Sequence, residues 1–213
     1  MMGGQNITPG RFITVEGTEG VGKSTNMDYI AGILRSRGIR VVVTREPGGT
    51  PVAERIRDVV LQSEPGSVSD RCELLLMFAA RASHIDQVIR PALTKGEWVL
   101  CDRFVDATYA YQGGGRRIPD ADIDKLSKLV LGNLRPDLTI LLDAPAEVTQ
   151  QRRSDRGTSD RFEQEEAAFF NRVQSKYREI AQQEPDRVRI VDASVSLKEV
   201  QESLKLEVDK LFK

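Results

Sequence analysis

Apolar and polar positions along the chain follow two alternating periods. Short runs rich in β-branched residues recur at Phe12–Val15, Ile39–Val43, Trp98–Cys101, Leu138–Leu142 and Val188–Val191. Three of them are almost unbroken apolar runs, the pattern of strands buried on both faces of a parallel sheet. Longer segments with helical spacing lie between them. This alternation predicts βαβ units, and their right-handed crossovers build an α/β fold: a five-stranded parallel sheet flanked by helices. No internal repeat interrupts the order, so residues 1–213 read as one domain.

End signals sharpen the helices. The segment from Lys23 to Arg37 stops before Gly38, a good residue just past a helix. Thr50–Pro51 reads as a cap followed by a first-turn proline. Asp70 with Glu73 forms a capping-box pattern, and a long helix follows through Leu74, Leu75, Phe78 and Ile85. Pro91 should kink or end that helix. Ser196 with Glu199 is a second capping box, after which Leu197, Val200, Leu204, Val208 and Leu211 mark one face. The least regular stretches are Gly113–Arg117 and Arg152–Thr158, read as functional or mobile loops.

Charge and composition narrow the partners. Lys and Arg number 31 against 32 Asp and Glu, a net charge of -1. No global basic field invites nucleic acid, so any anion site must be local. One histidine, His84, and two cysteines, Cys72 and Cys101, are too few for a disulfide framework or a His-based metal centre. Both cysteines sit among apolar residues and are expected as reduced core thiols. No apolar run approaches the roughly 20 residues that span a bilayer. Met1–Asn6 has neither a basic nor an apolar leader, so a cytoplasmic protein without a membrane partner is expected.

The chemistry starts at Gly17–Thr18–Glu19–Gly20–Val21–Gly22–Lys23–Ser24, which matches G-x-x-x-x-G-K-[ST]. The glycines let successive backbone N–H groups converge on one phosphate, and the following helix adds its positive N-terminus. Lys23 can reach the β- and γ-phosphates, and Ser24 can offer a hydroxyl to Mg²⁺. The motif follows an apolar strand and opens a helix, as phosphate binding requires. It specifies a nucleoside triphosphate and leaves the acceptor open.

No guanine-reading N-K-x-D and no L-S-G-G-Q signature is present. Glu19 is unusual, because a carboxylate beside a polyphosphate is electrostatically costly. It is a solvated side chain, a partner for a nearby arginine, or a contact to a sugar hydroxyl of a second substrate. Arg45–Glu46–Pro47–Gly48–Gly49–Thr50 follows the second strand, and Asp102–Arg103–Phe104 ends the third. Ligands of open α/β sheets bind outside the carboxyl ends of the strands, so these segments open onto the rim that holds the glycine-rich loop.

Taken together, the Glu-Gly-x-x-Gly-x-Gly-Lys-Ser loop, Arg-Glu-Pro-Gly-Gly-Thr, Phe78–Arg81, Asp-Arg-Phe, Ala110–Arg116 and Asp160–Glu165 resemble thymidylate kinase, in its bacterial form with arginines in the lid. The resemblance spans residues 12 to about 193. It implies the P-loop nucleoside monophosphate kinase fold, a lid near 151–160, transfer of the γ-phosphoryl group of ATP to dTMP with Mg²⁺, and a homodimer. The helix around Leu74, Leu75, Leu76 and Phe78 is a candidate interface or intramolecular core.

The resemblance also implies roles. Residues Gly17, Thr18, Glu19, Gly20, Val21, Gly22, Lys23, Ser24 and Thr25 hold ATP, with adenine near Val191–Ala193. Arg103 binds the dTMP phosphate, and Asp102, Glu16 and Ser24 organise Mg²⁺. Glu19 meets the sugar 3′-OH, and Tyr111 lies where a ribose 2′-OH would sit. Arg81 reaches the O4 side of thymine, Thr108 and Gln112 line its other polar edges, and Pro47 and Arg57 close the pocket. Met77 or Phe78 covers the base. Lys23, Arg103 and the lid arginines Arg152, Arg153 and Arg156 supply catalytic charge. A phosphate acceptor is already ionised near pH 7, so no general base is required. The competing readings are a deoxynucleoside kinase and a nucleotide-binding module without transfer activity.

Overall fold

Five parallel strands form the expected sheet in a computed structural model that describes residues 10–64, 66–154, 162 and 165–212. The strands are β1 (Phe12–Glu16), β2 (Val41–Arg45), β3 (Trp98–Asp102), β4 (Leu138–Asp143) and β5 (Val188–Asp192), in the order β2-β3-β1-β4-β5. β1 is central, between β3 and β4; the chain crosses from β1 toward β2 on one side of it and from β3 toward β4 on the other. The glycine-rich loop therefore leaves the sheet at the switch point, where such folds bind ligands. Register pairs Val15 with Asp102 on one side and with Ile140 on the other.

Alternation along the strands sorts the helices. Ile13, Val15, Leu100, Ile140 and Leu142 face α1 (Lys23–Ser36) and α9 (Leu197–Asp209). Phe12, Val99 and Cys101 face α3 (Asp70–His84), α4 (Arg90–Thr94) and α6 (Asp120–Leu131). Leu141 and Val188 meet α8 (Ala167–Gln183), whose Phe169, Phe170, Val173 and Tyr177 are buried. The remaining helices are α2 (Pro51–Gln62), α5 (Val105–Thr108) and α7 (Ala146–Ser154).

Each strand runs further than its apolar pattern, ending on Glu16, Arg45, Asp102, Asp143 or Asp192. Hydrophobicity stops where the sheet reaches its functional rim, so a purely apolar reading cuts the strand short. β2 is also displaced two residues C-terminal from Ile39–Val43.

Thr50 caps α2, its Oγ1 accepting from the Ala53 N–H at 3.1 Å. Ser196 and Glu199 complete the capping box of α9. The Asp70–Glu73 box does not form. Ser69 is the cap instead, accepting from the Cys72 N–H at 3.3 Å. Glu73 is fully buried and bonds Gln112 and Arg116, which is why it is unavailable to the cap. Pro91 does not end its helix. A π-helical turn at Ile85–Ile89 places the Arg90 N–H on the Ile85 carbonyl five residues back, and α4 continues through Pro91 to Thr94. The wider turn relieves the clash a proline makes with the carbonyl four residues before it. Of the two cysteines only Cys101 is in the core; Cys72 is exposed in the first turn of α3.

The Gly113–Gly115 run is ordered within a π-helical segment, Tyr109–Gly115, contrary to a loop. Its glycines make a flat seat for α8. A Cβ on Gly115 would lie 2.4 Å from the Phe169 ring, and one on Gly114 would lie 2.9 Å from the Arg172 carbonyl oxygen. Arg172 in turn donates to the Gly115 carbonyl at 2.9 Å. Phe169 is buried against Tyr111 and Phe170, so it has little room to yield. Gly115→Ala should therefore destabilise the fold by about 1–3 kcal/mol, the usual cost of forced overpacking. A urea melt measures it; an unchanged midpoint would show that α8 is not seated on this glycine.

Candidate active site

The loop after β1 is shaped by its glycines. Gly17, Gly20 and Gly22 have φ of 134°, 85° and 89°. A Cβ on Gly17 would sit 2.4 Å from the Leu142 carbonyl oxygen, so the close pass over β4 admits only glycine. Lys23 opens α1 and curls back to donate from Nζ to the Gly17 and Thr18 carbonyls, both at 3.2 Å. Ser24 and Thr25 are exposed on the first turn.

Beside this loop lies a cavity of about 180 Å³. Lys23, Glu19, Asp102 and Arg103 line one end, Met77 and Gln112 are among its other walls, and Pro47, Arg57 and Tyr111 also contribute. Arg103 sits just past β3 with φ of 66°, a left-handed conformation rare for a residue with a side chain. Its backbone N–H donates to the Val15 carbonyl at 2.9 Å. Its guanidinium donates to Glu19 Oε1 at 2.7 Å and to the Tyr177 hydroxyl at 3.2 Å, and lies 4.8 Å from the Tyr111 ring centroid. The Tyr111 hydroxyl donates to the same Glu19 carboxylate. Of the readings of Glu19, partnership with an arginine is the observed one.

Glu19, Glu16 and Asp102 lie close to Lys23 on this rim, and their surroundings separate them. Burial acts to raise the Glu19 pKa, but Arg103, Lys23 and the Tyr111 hydrogen bond hold it below the ordinary 4.5. Glu16 is pushed up to about 8, chiefly by burial and then by the charge of Asp106. Its oxygens accept from the Phe104 N–H and the Tyr177 O–H, both at 2.7 Å. Asp102 Oδ1 is buried and has no hydrogen-bond partner among the described residues. Burial, and Arg103 nearby, lower the Lys23 pKa, while Asp102, Glu19 and Glu16 oppose the shift.

A second cleft of about 340 Å³ flanks the glycine loop on the other side, lined by Gly20, Gly22, Thr25, Arg152, Ala193 and Val195 among others. Arg152 donates to the Ala193 carbonyl at 2.9 Å across it.

The sequence model of the thymidylate kinase family matches residues 15–204, nine-tenths of the chain. The chain belongs to the thymidylate kinase family. It is 57% identical over 195 residues to the thymidylate kinase of Pseudomonas syringae pv. tomato, covering 92% of this chain and 93% of that one. It is 51% identical over 206 residues to that of Methylococcus capsulatus, covering 97% and 98%. The crystal structure of thymidylate kinase from Ehrlichia chaffeensis superposes with a TM-score of 0.74 at 32% identity, over 96% of this chain and 99% of that one.

The residues expected of a thymidylate kinase do not all reach the cavity. Met77 lines it, whereas Phe78 is turned into the core 5.1 Å from the Arg81 guanidinium. Arg81 is 1% exposed and lies outside the cavity lining. It donates to Glu46 Oε2 at 2.7 Å, to Thr108 Oγ1 at 3.0 Å and to the Phe104 carbonyl at 3.0 Å. Thr108 is thus also behind the wall. Glu16 is turned into the core with both oxygens occupied, so it stands away from the position of a direct metal ligand. Arg152 faces the Ala193 side. The Arg153 side chain, Arg156 and most of the lid near 151–160 lie outside the described residues.

Other residues of the site have no motif to announce them. Tyr177 comes from α8, 161 positions from the Glu16 it bonds. His84 bridges Glu46 Oε1 at 2.9 Å and Thr44 Oγ1 at 2.7 Å, completing the buried polar wall behind Pro47. Both read as ordinary helical core positions in one dimension.

The Glu16 shift has a sign. Between about 4.5, its value in an unfolded chain, and about 8, folding takes up a proton. That stabilisation is complete below the lower value and is lost as pH rises through the upper one. Stability should fall with pH across this window, by at most about 1.4 kcal/mol per unit from this group. Glu16→Gln should flatten the fall. Denaturant midpoints at pH 5, 6.5 and 8 for both proteins check it; identical slopes would show that Glu16 is ionised throughout.

Proposed function

We propose that this chain transfers the γ-phosphoryl group of ATP to dTMP, giving dTDP and ADP, with Mg²⁺, in the cytoplasm. The observation that carries the substrate assignment is Gln112. Its Nε2 donates to the buried Glu73 carboxylate at 2.8 Å, and a carboxylate can only accept. The amide orientation is therefore fixed, and Oε1 remains as a buried acceptor with no partner among the described residues, in a side chain that lines the cavity. Thymine presents a donor at N3, whereas cytosine presents an acceptor there. Met77 covers the base, and Arg81 stiffens the wall by holding Thr108, Glu46 and the Phe104 carbonyl.

At the other end of the cavity, Arg103 exchanges Glu19 for the dTMP phosphate. A charge-assisted bond to a dianion replaces one to a carboxylate. Glu19 and Tyr111 are then released toward the sugar 3′-OH and the 2′ face. Lys23 and the loop N–H groups hold the β- and γ-phosphates. The adenosine lies along the second cleft, against Arg152 and Ala193.

The Mg²⁺ fits Ser24, exposed at the helix start, and Asp102, whose buried Oδ1 beside Lys23 has no partner among the described residues. Glu16 supports that wall from within. Bound there, the metal would neutralise phosphate charge. Catalysis then rests on positioning and charge, supplied by Lys23, Arg103 and a lid arginine, Arg153 or Arg156.

The deoxynucleoside kinase reading is weaker. A 5′-OH acceptor needs a base, and Glu19, the carboxylate bonded to Arg103, is held below the ordinary carboxylate pKa and is a poor one at pH 7. A homodimer is supported by apolar side chains left exposed on two adjoining helices, Val52 and Val59 on α2 and Leu75 on α3. Leu74 and Phe78, expected at the interface or in the core, are core.

ADP release measured with dTMP, dCMP, thymidine or no acceptor tests the reading. dTMP should exceed dCMP in kcat/KM by about 10- to 100-fold, since a mismatched buried acceptor costs about 1–3 kcal/mol. Equal rates for dTMP and dCMP would discard the Gln112 assignment, and equal rates for dTMP and thymidine the phosphate end. Arg152→Ala should raise KM for ATP several-fold and leave KM for dTMP unchanged. The about 10³-fold loss of kcat expected of a phosphoryl-transfer arginine should fall on Arg153→Ala or Arg156→Ala. A comparable kcat loss in Arg152→Ala would reverse this division.

A further inference from the structure

We infer that Tyr177 is a positioning residue for phosphate recognition, aiming Arg103 at the acceptor phosphate by closing a ring of hydrogen bonds through Glu16. The inference rests on the assignment of Arg103 to the dTMP phosphate.

The backbone of Arg103 is fixed by the bond from its N–H to the Val15 carbonyl. Its side chain is long, and a freely rotating guanidinium would lose about a rotamer-rich side chain's entropy on binding. Among the described residues, Glu19, the Tyr111 ring and the Tyr177 hydroxyl hold the guanidinium. The first two belong to the sugar end and change partners when substrate enters. Tyr177 is not among the cavity-lining residues, so substrate leaves it in place.

Its orientation is determined on both sides. The Tyr177 O–H donates to Glu16 Oε2 at 2.7 Å, which turns its oxygen lone pairs toward Arg103 Nη1 at 3.2 Å. The other Glu16 oxygen accepts from the Phe104 N–H, the residue following Arg103. The loop therefore runs from the Phe104 backbone through Glu16 and Tyr177 to the Arg103 side chain. Tyr177 is 3% exposed, and the α8 register that delivers it is held by the seat on Gly114 and Gly115 and by the bond from Arg172 to the Gly115 carbonyl.

Tyr177→Phe keeps the ring and removes the hydroxyl. Dissociation constants for dTMP and thymidine, measured by calorimetry on the same preparation, give a ratio that does not depend on the folded fraction. Tyr177→Phe should reduce the preference for dTMP over thymidine about tenfold, the scale of a hydrogen bond to a charged group. Thymidine affinity and KM for ATP should be unchanged. In an Arg103→Ala background the same substitution should alter the ratio less than twofold, because its effect passes through the arginine. A merely structural tyrosine would weaken dTMP and thymidine alike, and that result would overturn the inference, as would an unchanged ratio or equal effects in both backgrounds. Arg103→Ala alone separates the two levels. If it leaves the ratio intact, the phosphate assignment itself has failed. If it abolishes the preference while Tyr177→Phe does not alter it, only the role of Tyr177 has failed.

Discussion

One guanidinium between two carboxylates organises the rim of this sheet. Arg103 bonds Glu19 directly and reaches Glu16 through the Tyr177 hydroxyl. Carboxylates so far out of water are costly unless something neutralises or protonates them. The two acids meet that demand in different ways. Glu19 stays ionised because Arg103 and Lys23 stand beside it, while Glu16 is driven toward the protonated form by burial and by Asp106. The same cation that makes Glu19 tolerable is the one placed to meet an acceptor phosphate. The left-handed backbone of Arg103 is the local strain that this placement stores.

The architecture brings these groups together from distant parts of the chain. Parallel pairing puts Val15 beside Asp102, so the glycine loop and the Asp102–Arg103 pair leave the sheet side by side. Tyr177 arrives from a helix that follows β4, on the face where Glu16 points inward. The glycine run at 113–115 belongs to this scaffold. It brings α8 close enough for a tyrosine hydroxyl to bridge an arginine and a glutamate.

Much of this was legible in one dimension. The five strands, the sheet type, the glycine cradle and the caps at Thr50 and Ser196 follow from local chemistry, which is what sequence encodes most directly. Glu19 was legible as an oddity, because a carboxylate in a phosphate loop demands a partner. What escaped was set by tertiary contact. Ser69 displaced Asp70 as a cap because Glu73 was drawn into the core by Gln112 and Arg116. Gly113–Gly115 looked like a loop because closeness to another helix leaves no local signal. The choice between Met77 and Phe78 depended on helix rotation by one residue, which apolar periodicity alone does not resolve. Tyr177 and His84 carried polar roles from positions that read as core.

The most direct test of the Arg103 exchange is a crystal structure of the dTMP complex. In it the Arg103 guanidinium should leave Glu19, keep the Tyr177 hydroxyl and bond the dTMP phosphate at about 2.7–2.9 Å, with the Glu19 carboxylate turned to the sugar. A complex in which Arg103 remains paired with Glu19 while the phosphate rests on Arg45 or Arg57 would contradict it.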